Sequence, residues 1–126
     1  MSDEAISVIK VRDVLLVAMP ADPDDATVSA LQDRTLEAMD KHGVRSLVLD
    51  LTKVEILDSY FARTVAETAQ MVGLMGGDTI IAGMRPSVAI TATELGVSLG
   101  KTRTALTVEH ALDLSDKKPN GDRLLR

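Results

Sequence analysis

Asp58 and Ser59 stand side by side where a loop gives way to apolar residues at helical spacing. A serine at the start of a helix has two roles open to it. As an N-cap, its hydroxyl accepts a bond from an orphan amide and contributes about 1 kcal/mol. As a phosphoacceptor, it places a phosphoryl group against free amides and the positive end of the helix dipole, so the fold tolerates the modification. The added charge of about −1.5 to −2 then falls beside Asp58, enough to displace a partner matched to the neutral serine. Both roles can coexist on one exposed hydroxyl, which makes Ser59 a candidate binding switch.

Other groups are chemically weaker. Asp50 closes an apolar run and Asp58 lies in the loop after it, so two carboxylates could meet at the carboxyl edge of a sheet, as paired acid catalysis requires. No base or pocket signal accompanies them, and turn roles are simpler. His42 and His110 are the only imidazoles, without carboxylates at ligand spacing, so neither metal binding nor histidine base chemistry is indicated. Gly96 to Thr102 imitates a phosphate loop, yet three residues separate its glycines where four are needed. Its context is also reversed, since it leaves a helix and enters a strand. No nucleotide or other cofactor is expected.

The elements that must position these residues follow from periodicity. Residues 6–10 and 14–19 flank the polar pair Arg12 and Asp13, which predicts an opening hairpin. Asp22 before Pro23 predicts a helix cap, and Val28, Leu31, Thr35, Leu36 and Met39 run on to a left-handed stop at Gly43. His42 then sits at that helix's C-terminus, where its positive form suits the dipole. Residues 47–51 read as a strand covered on both faces. A second helix opens near Ser59 with Phe61, Val65, Thr68, Val72 and Met75 on one stripe, ahead of Gly76 and Gly77. A strand at 79–82 leads to a third helix that starts at Pro86, carries Val88, Ala92 and Leu95, and stops at Gly96. A weaker strand at 101–106 precedes a last helix at 108–114, capped by Thr107.

Strands alternating with helices imply right-handed crossovers and an α/β fold: a mainly parallel central sheet opened by an N-terminal β-hairpin, with helices packed against it. Residues 1–114 are expected to form one domain, and 115–126, polar and rich in breakers, a mobile tail. Composition agrees with one core, since 126 residues with 45% hydrophobic and 26% charged side chains are ordinary for a globular chain. Aromatics amount to 2% and the formal charge is −5, so neither base stacking nor phosphate-backbone attraction is supported. The longest apolar run is too short to cross a bilayer. With no cysteine, disulfides and thiolate chemistry are excluded, and a cytoplasmic location is permitted.

In combination these features resemble the STAS domains of sulfate transporters and anti-sigma-factor antagonists. The resemblance spans residues 6–112. It rests on the element order, the run Ile56, Leu57, Asp58, Ser59, Tyr60, and the stretch Gly83, Met84, Arg85, Pro86, Ser87, Val88, Ala89 with Thr91. Among STAS proteins the single-domain stressosome subunits of the RsbS type are the most similar. The resemblance implies a non-catalytic cytoplasmic scaffold that self-associates with RsbR-type sensor paralogues and sequesters an RsbT-type switch kinase through Asp58, Ser59 and Tyr60. Phosphorylation of Ser59 would release the kinase to relay stress, and an RsbX-type phosphatase would reset it. Thr91 matches a position phosphorylated in some paralogues, although a helical threonine commonly bonds back to the preceding turn. The alternative is an anti-sigma-factor antagonist, or another phosphorylation-switched STAS module, acting outside a stressosome. Sporulation-type antagonists place small residues after the serine, whereas this chain has Tyr60 and Phe61.

Overall fold

The computed structural model describes residues 6–96 and 102–117. β1 (Ser7–Val11) and β2 (Val14–Ala18) form the expected antiparallel hairpin, turned at Arg12, whose φ of 57° is left-handed. α1 (Asp25–His42), β3 (Ser46–Asp50), α2 (Ser59–Leu74), β4 (Asp78–Ala82), α3 (Pro86–Glu94), β5 (Arg103–Ala105) and α4 (Val108–Lys117) follow. The sheet order is β1-β2-β3-β4-β5, with every pair after the hairpin parallel. The fold is therefore α/β with a mixed, mostly parallel sheet.

That order has a consequence for packing. Each crossover steps to the next strand in the same direction, so right-handed connections place their helices on one face. Accordingly Val28, Leu31 and Met39 of α1, Phe61, Val65 and Val72 of α2, and Val88 of α3 share a buried cluster with Leu15, Val17, Leu47, Leu49 and Ile81. The opposite face holds Val14, Val48, Ile80 and Ala82 against Ala111 of α4. Both faces of β3 are thus covered, which is why its sequence is continuously apolar. The strand order never reverses among the described strands, so the sheet lacks the switch-point crevice where open α/β sheets bind ligands.

Several boundaries differ from the expected ones. The cap of α1 is Asp24 rather than Asp22, and Pro23 lies outside the helix. Asp24 prevails because its carboxylate accepts both the amide and the hydroxyl of Thr27, at 2.8 and 2.7 Å. Gly43 takes the expected left-handed stop at φ 67°, and Pro86 opens α3. Met75 and Leu95 are not core residues: they fall at the caps of α2 and α3 and are exposed. α4 continues to Lys117, with Ser115 buried at 4% exposure. The glycine-flanked stretch at 97–101, the start of the predicted last strand, and 118–126 lie outside the described residues.

Candidate functional site

Residues 51–58 leave the carboxyl end of β3 and deliver α2. Leu51 donates its amide to the Ala82 carbonyl at 2.9 Å, and Glu55 donates to Ala21 at 2.9 Å. Leu51, Val54 and Leu57 are buried and pin the loop to the core. The Thr52 amide and hydroxyl both donate to Asp50 Oδ1, closing a tight turn. Gly83 backs that turn so closely that a Cβ there would stand 2.2 Å from Thr52 Oγ1. From the far side Arg85 Nε donates to the Thr52 carbonyl at 3.1 Å, and its guanidinium lies 3.9 Å from the Glu55 carboxylate. Ala21, Asp50 and the stretch 82–85 therefore fix the approach to α2.

The cap of α2 is Asp58, not Ser59. Its carboxylate accepts the Phe61 amide at 2.8 Å, and its carbonyl accepts the Ala62 amide at 3.0 Å. Ser59 is the first helical residue, exposed, and among the described residues its hydroxyl carries no hydrogen bond. The N-cap role proposed for Ser59 thus fails, for a reason readable in the spacing. A cap at 58 puts Leu57 and Ala62 in the two positions of a hydrophobic staple, and both are buried in the same cluster. With the Phe61 amide taken, those of Ser59 and Tyr60 remain unclaimed by the helix.

Tyr60 is 38% exposed, whereas Phe61 is 2% exposed and belongs to the core. Of the two bulky residues after the serine, only Tyr60 shapes the surface. Ile56, 55% exposed, adds a second apolar group to the same loop; in the sequence it stood out only as part of the run 56–60, not as a contact residue.

The other candidates are dispersed. Asp50 serves the Thr52 turn and Asp58 the α2 cap, so each carboxylate of the considered acid pair is committed to its own backbone turn. Thr91 Oγ1 donates to the Ser87 carbonyl at 3.0 Å, the back-bonding expected of a helical threonine. His42 ends α1, as expected, and His110 is an exposed residue of α4 whose amide is capped by Thr107 at 3.0 Å. Among the described residues no group of three or more histidines and carboxylates could hold a metal ion, and no helix is long and apolar enough to cross a membrane.

A family model described as the STAS domain matches residues 5–111, most of the chain and nearly all of the fold just described. The chain belongs to the STAS family. Within it, the protein is related to stressosome components. This STAS chain is 27% identical over 99 residues to the RsbT co-antagonist protein RsbRA of Bacillus subtilis (strain 168), covering 75% of this chain and 36% of RsbRA. It therefore spans little more than a third of that relative's length. A solved glutamate-for-serine variant of RsbS from Moorella thermoacetica superposes with a TM-score of 0.79 at 28% identity, covering 89% of this chain and 95% of that one. A chain from the molecular architecture of the stressosome, described as a signal integration and transduction hub, gives 0.78 at 30% identity, with coverage of 88% and 96%.

Proposed function

We propose that this STAS domain is a scaffold subunit of a stressosome-type assembly that holds an RsbT-type switch kinase and releases it when Ser59 is phosphorylated. The observation that carries the reading is the unengaged, exposed hydroxyl at the first position of α2, with the helix cap supplied by its neighbour. Because Asp58 already satisfies the Phe61 amide, esterifying Ser59 removes no bond that the fold uses. The phosphoryl group meets the free amides of Ser59 and Tyr60 and the positive helix end. Its charge joins that of Asp58 between the exposed apolar groups Ile56 and Tyr60, so a partner seated on Asp58, Ser59 and Tyr60 loses its match.

The likeness to RsbR and RsbS proteins supports co-assembly with RsbR-type sensor paralogues and a cytoplasmic site of action, and an RsbX-type phosphatase resets the serine. Thr91 is a secondary candidate, its hydroxyl half-committed to the helix. The test is incubation with an RsbT-type kinase and ATP followed by peptide mapping. The phosphoryl group is expected on Ser59 and absent from Ser59→Ala. Modification elsewhere with Ser59 untouched overturns the assignment.

A further inference from the structure

Ser59 opens α2, and Arg63, one turn further on, is exposed on the same side of the helix. Side chains four apart on a helix are neighbours, with Cβ atoms about 5–6 Å apart, and each Cα–Cβ bond leans toward the amino end. The long side chain of Arg63 can therefore reach back to the Ser59 hydroxyl. Among the described residues its guanidinium has neither a hydrogen bond nor an ion pair. Glu67, a further turn along, is exposed and does not pair with it. The order of charges accounts for that: at this spacing an anion amino-terminal to its cation is favoured over the reverse. A phosphoryl group on Ser59 would stand in the favoured order. The other cations at this edge are placed differently. Arg85 already donates to the Thr52 carbonyl and faces Glu55 at 3.9 Å, and Lys53 lies in the turn ahead of the helix.

We propose that Arg63 is the positioning residue that clamps the phosphoryl group on Ser59, an inference that rests on Ser59 being the phosphoacceptor. Transfer forms the bond from Ser59 Oγ to phosphorus and breaks the bond from the γ-phosphorus of ATP to its bridging oxygen. ADP leaves, and the hydroxyl proton passes through the kinase to solvent. A neutral hydroxyl thereby becomes a group of charge about −1.5 to −2 next to the Asp58 carboxylate. The two anions repel, which opposes the second ionisation of the phosphoryl group. A guanidinium presents parallel N–H donors that match two phosphoryl oxygens, so Arg63 offsets Asp58 through a bidentate pair.

The clamp extends the switch along the helix. In the unmodified domain a partner over Ser59 meets a neutral hydroxyl and, one turn away, a cation with no partner among the described residues of its own chain. After phosphorylation it meets a closed anion–cation pair. The modification thus changes the surface of α2 over about 6 Å of its axis, at Arg63 as well as at Ser59.

Phosphoserine built into position 59 during synthesis of the full chain tests the clamp without any kinase. Phosphorus NMR at low salt reads its second ionisation in the otherwise unsubstituted chain and in Arg63→Gln, Arg85→Gln and Lys53→Gln. Glutamine keeps a helix propensity close to that of arginine. The ionisation constant is expected to be about twofold larger with Arg63 than in Arg63→Gln, a pKa lower by about 0.3, and to change less in Arg85→Gln and Lys53→Gln. The Nε–H resonance of Arg63 should move with the same midpoint as the phosphorus signal. An ionisation constant unmoved by Arg63→Gln, or moved more by either other variant, overturns the proposal. So does an Arg63 resonance indifferent to the titration, and should Arg63→Gln fail to fold, that resonance decides. Kinase affinity on the same phosphorylated chain separates the two readings. A clamp with kinase affinity unchanged supports the role of Arg63 and overturns release, whereas weakened kinase binding without a clamp overturns the role of Arg63 alone.

Discussion

The carboxylate of Asp58 holds the Phe61 amide at 2.8 Å while the adjacent Ser59 hydroxyl is unengaged among the described residues, so the two side chains contribute separable free energies. Asp58→Ala should cost about 1 kcal/mol in urea denaturation through the lost cap. Ser59→Ala should change stability by less than about 0.5 kcal/mol, as for a surface position without a partner. The reverse ranking would return the cap to Ser59. Gly83 is the second position where one residue governs the site. Its φ of 74° is left-handed and an added Cβ would strike Thr52 Oγ1. Gly83→Ala should therefore cost about 1 to 3 kcal/mol and speed amide exchange at Thr52, measured by thermal unfolding and exchange NMR.

Among the elements, the amino ends of the parallel strands are tied by one polar cluster. Asp78 of β4 accepts Arg103 of β5 at 2.7 Å and Ser46 of β3 at 2.9 Å, and Arg103 also donates to the Leu114 carbonyl of α4 at 3.3 Å. Asp78→Ala leaves both donors without their acceptor and should cost about 1 to 2 kcal/mol. Arg12→Ala breaks only an exposed pair with Asp116 and should cost at most about 0.5 kcal/mol, which double denaturation curves would resolve. The elements themselves were legible because their signals are local: the two-residue turn of the hairpin, the apolar run of β3, Pro86 at the start of α3 and Gly43 at the end of α1. What was illegible depended on choosing between adjacent residues of like chemistry. Asp22 against Asp24 and Ser59 against Asp58 are each decided by which side-chain oxygen reaches an amide three residues on, a matter of backbone angle. The extension of α4 past Leu114 was hidden because the buried Ser115 reads as polar.

At the scale of the whole molecule, the sequential strand order directs chemistry to the surface. Among the described strands the order does not reverse and forms no switch-point crevice, and both sheet faces are given to packing over most of their width. The carboxyl edge instead presents a pinned loop, two exposed apolar side chains and an exposed serine, on a chain whose net charge is already −5. Such a surface suits recognition controlled by charge. The most direct test is the affinity of an RsbT-type kinase for the unmodified protein and for protein stoichiometrically phosphorylated on Ser59, measured at one ionic strength because surface charge is screened by salt. The account predicts binding at least about tenfold weaker after phosphorylation, equivalent to about 1.4 kcal/mol. Equal affinity of the two forms would contradict it.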